Sequence, residues 1–407
     1  MASRSTAIRP GGRAAPAPSN AQLHTGHPAA LIAMISCLLV VVGLVMILSA
    51  SSVTSFANYG SSFLFFKRQL VWAVAGMALF VLFCRLDYRR LKGFGYVLYP
   101  LAFLLLVVTL IPGVGVTVGG GTRWIALGAL SFQPSEFAKL ALVLLSADVF
   151  SRKPERLLHE PSHLLIPMVP ALGLLAALVL RQPDLGTTML LGAIGIGMLF
   201  VAGAPLRFLL PLGAVGVAIA TAAALGAPYR RARVLAFMDP WADPLRTGYH
   251  TIQSLIALGS GGWLGVGLGA SRQKWMYIPN AHTDFIFAIL GEEMGVVGTV
   301  AVLGMFALLA FLGLRAARKA PDRFGMLLAS GIVIWISVQA LVNIGAVTAL
   351  LPVTGVPLPL LSFGGSSLVL SLTAMGILTN IAWQGTKSEL EEQRMPQRSV
   401  ASRRRCR

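Results

Sequence analysis

Long apolar stretches alternate with short polar ones over most of this sequence of 407 residues. A helix needs about 20 mostly apolar residues to cross a bilayer, and stretches of that length recur along the chain. The pattern predicts an all-α, polytopic membrane protein with about ten spanning helices. We place them at residues 29–50, 69–86, 94–112, 134–151, 163–181, 185–203, 205–225, 285–315, 323–349 and 362–384.

The predicted transmembrane domain covers residues 29–385 and lies between two tails. Residues 1–28 are rich in Ala, Pro, Gly and Ser without apolar periodicity, which predicts a disordered tail. Residues 386–407 form a basic tail. Between the seventh and eighth spans, residues 226–284 form the longest connection. Its mixed apolar and polar content predicts short helices and re-entrant or interfacial pieces.

Composition and charge narrow the class of protein further. Residues are 56% hydrophobic and 12% charged, whereas soluble domains average about 25% charged residues. The net charge of +18 comes largely from tails and short clusters beside apolar runs. This distribution is typical of basic cytoplasmic loops rather than of a nucleic-acid-binding surface. It predicts a cytoplasmic-membrane protein with both termini in the cytoplasm, and it places residues 226–284 on the outer side.

Asp284 lies in the stretch PNAHTDFIFAILGEEMG, directly before a predicted span. One interpretation is a helix cap, in which Thr283 or Asp284 satisfies free amides while His282 is an ordinary loop residue. The other is a general base, or a ligand for substrate or cation, at the outer membrane face. The flanking apolar residues would partly desolvate the carboxylate and raise its pKa. The local sequence leaves both interpretations open.

Glu136 and Lys139 lie three residues apart on one face of the fourth predicted span. Pro134 suits the first turn of that helix, and Ser135 could help to cap it. The pair could simply neutralise itself inside the membrane. Because ionisable residues within spans are candidates for function, we favour a polar site that faces a cavity.

Several cations map to the predicted outer side, where the inside rule disfavours them. A set of this size suggests an anionic substrate such as a pyrophosphate. Trp124 has the features of an interfacial anchor or of a stacking platform for a sugar, and Asp184 is better explained as a helix cap. The outward cations are Lys67, Arg68, Arg123, Arg230, Arg231, Arg233, Arg272 and Lys274.

Three polar residues of the later spans have alternatives of their own. Gln339 and Asn343 lie four apart on one helix face, so they could hydrogen-bond between helices or line a cavity. Glu292 lies two turns below Asp284, where it could extend a polar lining or pair with another element.

Taken together, these residues resemble the SEDS family of membrane glycosyltransferases that polymerise peptidoglycan. The resemblance covers about residues 30–385 and includes ten spans and a long outer loop. It is carried by GTRWI, QPSEFAKL, RQPDLGT, QSLIALGSGGWLGVGLG, HTDFIFAILGEEMG and PLPLLSFGGSS in this order. Residues 47–72 are most similar to the cell-division member, which suggests a place at the septum. The elongation and sporulation members are close alternatives.

The resemblance implies a substrate, lipid II, which is a disaccharide-pentapeptide on undecaprenyl pyrophosphate. It also implies that Asp284 is the base that deprotonates the acceptor sugar's 4-hydroxyl before inverting attack on the growing chain. Trp124, Glu136 and Lys139 match family positions near the same cavity. The predicted substrate-binding residues are therefore Arg68, Arg123, Trp124, Glu136, Lys139, Arg231, Lys274, His282 and Thr283.

The resemblance also bears on cofactors and partners. A divalent cation, Mg²⁺ or Mn²⁺, is a candidate for neutralising the leaving pyrophosphate, although the sequence contains no ligand cluster and no organic cofactor is expected. The implied partners are a class B penicillin-binding protein and other membrane proteins of the division machinery. Competing hypotheses are a lipid II flippase or other transporter, an elongation-type polymerase and a non-catalytic scaffold.

Overall fold

The computed structural model describes residues 28–118, 121–128, 130–154, 160–226, 228–275, 277–278 and 281–405. The predicted N-terminal tail lies outside these residues except for Pro28, where the first helix begins. Proline suits that position because its fixed φ is helical and it has no amide hydrogen to leave unpaired.

Twelve α-helices are present among the described residues. Ten of them correspond to the ten predicted spans, and two short ones, α8 and α9, lie in the long connection. Their bounds are α1 Pro28–Tyr59, α2 Leu64–Arg85, α3 Gly95–Thr109, α4 Pro134–Ser151, α5 Pro161–Arg181, α6 Leu185–Ala202, α7 Leu206–Leu225, α8 Pro228–Met238, α9 Tyr249–Ser260, α10 Ile286–Arg318, α11 Arg323–Val347 and α12 Gly365–Arg405. Short 3-10 helices occupy Tyr88–Leu91 and Pro240–Ala242.

Within the described residues, eight helices are long and apolar enough to cross a bilayer: α1, α2, α5, α6, α7, α10, α11 and α12. The other two predicted spans differ from these for separate reasons. α3 has only 15 residues, and α4 carries Glu136, Lys139 and Asp148. Nearly all of α4 is buried against α3, α6 and α11, so protein rather than lipid surrounds its ionisable side chains.

A small antiparallel sheet forms most of the connection between α3 and α4. Its strands are β1 Gly115–Val118, β2 Gly121–Leu127 and β3 Leu130–Phe132, in the order β1-β2-β3. Trp124 pairs with Val116 across the first two strands. Alternation of apolar and polar residues around a glycine-rich turn is the sequence signal for this hairpin. The sheet leads directly into α4 and holds Arg123 and Trp124 above that helix.

The long connection folds back onto a break in α10. At Gly295 the helix has φ 65° and ψ −163°, and hydrogen bonding passes to the glycine-rich loop. The amides of residues 296–297 donate to the carbonyls of residues 262–263 at 2.9 and 3.2 Å. The amides of residues 266–267 donate to the carbonyls of residues 292–293 at 3.0 and 3.1 Å. The predicted re-entrant segment is therefore joined to α10 through its backbone.

Replacing Gly295 with alanine is expected to break this junction. A Cβ there would lie 2.4 Å from the amide nitrogen of Gly265, and the backbone conformation is one that only glycine adopts easily. We expect Gly295→Ala to lower the free energy of unfolding by at least about 2 kcal/mol. Thermal unfolding in detergent measures this loss. Gly304→Ala, on the same helix with open space around it, is the matched control. Equal transition temperatures for the two variants would contradict the proposed junction.

Candidate active site

Asp284 lies at the end of the long connection, two residues before α10 begins. Phe285 occupies the N-cap position of α10. Asn343 of α11 fixes the backbone here, because its Nδ2 donates to the Asp284 carbonyl at 2.9 Å and to the Val356 carbonyl at 2.8 Å. One carboxamide therefore joins α11, the start of α10 and the loop before α12.

The Asp284 side chain faces a pocket of about 60 Å³. Three segments that are distant in sequence form its walls: α8, the start of α9 and the loop before α12. Gly355, with φ 73°, lies beside the carboxylate, and a Cβ there would be 3.7 Å from Oδ2. The other lining residues are Arg233, Ala236, Phe237, Thr247, His250, Thr251, Phe285 and Val353.

The surroundings of Asp284 raise the pKa of its carboxyl group to about 6. Burial is the largest cause, and the negative charge of Asp184 acts in the same direction. The positive charges of Arg233 and Arg123 oppose this rise. At neutral pH the group is therefore mostly ionised, yet it is basic enough to accept a proton from a substrate.

Arg123 and Asp184 form an electrostatic pair beside the pocket. Asp184 caps α6 as predicted, since it accepts hydrogen bonds from the amide of Thr187 at 3.1 Å and from its hydroxyl at 2.9 Å. Arg123 Nη1 lies 3.9 Å from Asp184 Oδ2, and Arg123 also donates to the carbonyls of Gln182 and Pro183. These contacts place the guanidinium of β2 close enough to lower the pKa of Asp284.

Two histidines lie near Asp284 in different settings. The His250 ring stacks on Phe285 with centroids 6.0 Å apart, and burial together with Arg233 lowers its pKa. The His282 ring contacts Phe65 at 4.8 Å and Phe363 at 5.4 Å. Burial lowers the pKa of His282 to about 4, so its imidazole is neutral at physiological pH. His282 contacts these aromatic rings and does not line the Asp284 pocket.

Glu136 and Lys139 form a buried ion pair. Lys139 Nζ lies 2.6 Å from Glu136 Oε1, and their side chains are 0% and 1% exposed. Lys139 also donates to Gln339 Oε1 at 2.8 Å and lies over the Trp335 ring. Ser135 makes no capping hydrogen bond in the described structure, contrary to its predicted role. Neither member of the pair lines the Asp284 pocket, so their predicted substrate contact stays a prediction.

Gln339 extends this pair into a network across the bundle. Its Oε1 accepts from both Lys139 and Trp335 Nε1, the latter at 2.8 Å, while its Nε2 donates to the Pro357 carbonyl at 2.9 Å. Gln339 and Asn343 therefore make the inter-element hydrogen bonds that their spacing allowed. The two residues lie one turn apart on α11, and both donate to backbone carbonyls of the loop before α12.

Lys274 and Glu292 help to join residues 262–274 of the long connection to α10. Lys274 Nζ lies 3.8 Å from Glu293 Oε1 and donates to the Gly269 carbonyl. Glu292 accepts the amides of Arg272 at 2.9 Å and Gln273 at 3.3 Å. Of the two alternatives for Glu292, pairing with another element is the one observed. Lys274 is buried in this junction and does not line the pocket.

The remaining predicted residues are more exposed. Arg68 lies in the second turn of α2 and Arg231 on α8, both with exposed side chains, whereas Trp124 and Thr283 are partly buried. Arg233, two residues after Arg231 and on a different face of α8, is the α8 arginine that lines the pocket. Sequence reasoning grouped Arg233 with the outward cations but did not select it, and it passed over His250, Thr247, Thr251 and Gly355.

Metal ligands do not converge in this region. Among the described residues, no group of three or more His, Cys, Asp or Glu side chains is placed to hold a metal ion. Asp284 has two arginines and one further carboxylate as its charged neighbours. These residues do not fit a metal site built from protein side chains alone.

Comparison with known proteins gives one consistent family. A family model described as "Cell cycle protein" and named for FtsW, RodA and SpoVE matches residues 29–387. The chain is 43% identical over 358 residues to stage V sporulation protein E of Bacillus subtilis, covering 87% of this chain and 97% of that protein. It is 45% identical over 343 residues to the probable peptidoglycan glycosyltransferase FtsW of Thioalkalivibrio sulfidiphilus, covering 83% and 85%.

Solved structures agree with this assignment. The rod shape determining protein RodA of Thermus thermophilus superposes with a TM-score of 0.63 at 30% identity, covering 86% of this chain and 95% of RodA. A second chain comes from work described as the structural coordination of polymerization and crosslinking by a peptidoglycan synthase complex. It superposes with a TM-score of 0.72 at 31% identity, covering 87% of this chain and 97% of that one.

The buried pair predicts a large loss of stability when only one partner is removed. Lys139→Met leaves Glu136 charged and uncompensated, so we expect the free energy of unfolding to fall by about 3–5 kcal/mol. The double variant Glu136→Gln/Lys139→Met should be more stable than Lys139→Met in detergent denaturation curves.

The control for this prediction is Lys319→Met. Lys319 pairs with Glu389 at 2.6 Å, but both side chains are about a third or more exposed. Solvent screening limits the expected loss there to about 1 kcal/mol or less. Similar losses for Lys139→Met and Lys319→Met would contradict the described network.

Proposed function

The chain belongs to the FtsW/RodA/SpoVE family and is a peptidoglycan glycosyltransferase of the bacterial inner membrane; from this premise we propose that it polymerises lipid II with Asp284 as general base. The observation that carries the proposal is the pocket beside Asp284, where burial raises the pKa of the carboxyl group to about 6 and Arg233 of α8 contributes to the lining. A base of this strength suits proton transfer near neutral pH.

In the proposed reaction, the Asp284 carboxylate accepts the proton of the acceptor sugar's 4-hydroxyl. The hydroxyl oxygen then forms a bond to the anomeric carbon of the lipid-linked chain with inversion. The bond between that carbon and the pyrophosphate oxygen breaks, and undecaprenyl pyrophosphate leaves. Arg233 and Arg123 are the guanidinium groups whose charge reaches Asp284, and guanidinium groups bind phosphate oxygens well.

A pocket of about 60 Å³ has room for only a few water molecules. A disaccharide needs more room, so we infer that one wall moves when substrates bind. α8 is the wall with the least packing on the spanning helices, since its contacts are mainly to α7 and to the 3-10 helix Pro240–Ala242. Displacement of α8 would open the pocket while Asn343 keeps Asp284 in place.

The other predicted substrate contacts divide by the exposure of their side chains. Arg68, Trp124, Arg231, His282 and Thr283 are at least partly exposed and stay proposed contacts for the rest of lipid II. Glu136, Lys139 and Lys274 are proposed to act through positioning of the elements around the site. A divalent cation, Mg²⁺ or Mn²⁺, is proposed only as a ligand of the pyrophosphate itself, which commonly binds such ions with few protein ligands.

We propose a class B penicillin-binding protein as partner, together with other membrane proteins of the division machinery. Similarity to a chain from a peptidoglycan synthase complex supports a crosslinking partner. Similarity to several FtsW proteins supports a septal location over an elongation role. The orientation that places Asp284 outside and both termini in the cytoplasm follows from the basic clusters and is part of this proposal.

Asp284→Asn is expected to lower the rate of lipid II polymerisation at least about 100-fold, because the amide cannot accept the proton. The wild-type rate should rise with pH through about 6 and level off above it, since only the ionised carboxylate is active. Glycan strands formed from lipid II by the purified protein with its partner transpeptidase report both effects. Asp239→Asn changes an exposed carboxylate of the same loop and serves as control.

Unchanged polymerisation by Asp284→Asn would contradict the role of this residue as base. Translocation of lipid II across liposomes without any polymer would favour the transporter hypothesis instead. Polymerisation by the wild type and by Asp239→Asn, together with its loss in Asp284→Asn, would support the proposal.

Arg233→Gln is expected to move the acid limb of the pH profile to higher pH. Arg233 lowers the pKa of Asp284, so its removal leaves the carboxyl group protonated over a wider range. The KM for lipid II should also rise, because a phosphate-binding charge is lost. Arg231→Gln removes a charge from the same helix outside the pocket and should leave the limb in place. Equal shifts of the acid limb in both variants would contradict a specific effect of Arg233, because any positive charge on α8 would then act in the same way.

A further inference from the structure

A second pocket opens at the end of the bundle opposite Asp284, and we propose that it binds the phosphate headgroup of an anionic phospholipid. Its volume is about 350 Å³, within the range of small-ligand sites. It lies between the end of α2, the 3-10 helix Tyr88–Leu91 and the later part of α12. This inference does not depend on the proposed base or on the identity of the sugar substrate.

The course of α2 places this pocket at the other membrane surface. Near its start, the ring of Phe65 contacts the ring of His282, which lies beside Asp284. Arg85 ends the helix 20 residues further on. At 1.5 Å per residue this is about 30 Å, which equals the thickness of the hydrocarbon core.

The floor of the pocket is a hydrogen-bonded polar surface. Asn380 of α12 is 2% exposed; its Oδ1 accepts from the Tyr88 amide at 3.2 Å and from Gln384 Nε2 at 3.0 Å. Its Nδ2 donates to the Cys84 carbonyl at 2.8 Å. Gln384 donates in addition to Asp87 Oδ1 at 3.0 Å. These bonds hold α12 and α2 apart at a fixed spacing and give the cavity a defined shape.

Three cations line the rim of the pocket, and they differ in their partners. Arg89 pairs with Asp322 at 3.0 Å, and Lys387 lies 4.0 Å from Glu391. Arg85 is exposed, and no carboxylate of the described residues lies within 4 Å of its guanidinium. The carboxylates of Asp87 and Glu391 also line the pocket, so three cations face two carboxylates there and the lining keeps a net positive charge. This arrangement favours a phosphate group.

Apolar surface continues from the rim toward the bilayer. Trp383 is 50% exposed and lines the pocket, with Lys387 Nζ 5.6 Å from its ring. Leu82 is 52% exposed and lies one turn toward the bilayer from Arg85. Tryptophan is enriched at the level of lipid headgroups, and basic pockets between helices on the cytoplasmic side bind anionic headgroups. A ligand with both a phosphate and acyl chains fits this surface better than a soluble phosphate does.

Binding of dioleoyl phosphatidylglycerol to the full-length protein tests the proposal. The purified, delipidated chain in detergent is titrated with this lipid, with dioleoyl phosphatidylcholine and with inorganic phosphate, and native mass spectrometry measures bound lipid. We expect preference for phosphatidylglycerol. Each lost cation near the headgroup should weaken its binding about fivefold, so Arg85→Gln/Lys387→Gln should weaken it about 25-fold.

The matched control is Arg90→Gln/Arg318→Gln, which removes two exposed cations from the same end of the bundle outside the pocket. It should change binding by less than about twofold. Thermal unfolding compares the folded state of both double variants. Arg85→Gln alone, which breaks no ion pair, should give the fivefold loss if the double variant is unstable.

Three results would overturn the proposal. Equal binding of phosphatidylglycerol and phosphatidylcholine by the wild type would show that charge does not select the ligand. Equal losses in the two double variants would locate binding elsewhere. Displacement of the lipid by millimolar inorganic phosphate would assign the pocket to a soluble phosphate compound.

Discussion

The position of Asp284 depends on one side chain of a neighbouring helix. Asn343 donates both to the Asp284 carbonyl and to the Val356 carbonyl, so the start of α10 and the loop before α12 share one anchor. Gln339, one turn earlier on α11, adds a second hydrogen bond to this loop at the Pro357 carbonyl. In hydrocarbon an unpaired backbone carbonyl costs several kcal/mol, so irregular backbone at this depth persists only with such partners.

The same need for partners applies to the charged residues inside the bundle. Glu136 and Lys139 neutralise one another, and Gln339 links their pair to the loop that borders the Asp284 pocket. A buried ion pair is weak evidence for stability, because desolvation offsets most of its Coulomb energy. The pair also has a geometric role, because Lys139 joins α4 to Gln339 of α11, which in turn holds the loop before α12. The pair thus positions the site without belonging to its wall.

Much of this architecture could be predicted from local features of the sequence. Each spanning helix follows from its own apolar run, and the Asp184 cap follows from its place at a helix start. The pocket could not be predicted in this way, because Arg233, His250 and Gly355 come together only through the folding of three separate segments. The sheet at β1–β3 was missed because its short strands lie inside a glycine-rich stretch. The partners of Asn343 likewise depend on tertiary contacts that its helical spacing cannot specify.

α12 extends unbroken from Gly365 to Arg405, 41 residues, which corresponds to about 60 Å of helix. Its first residue packs tightly on Trp72, directly after the loop that borders Asp284, and its later turns form the wall of the second pocket. A helix of this length behaves as a stiff rod, so a tilt imposed at one membrane surface becomes a displacement at the other. The two ends of the bundle, one beside Asp284 and one at the second pocket, therefore share a single stiff element.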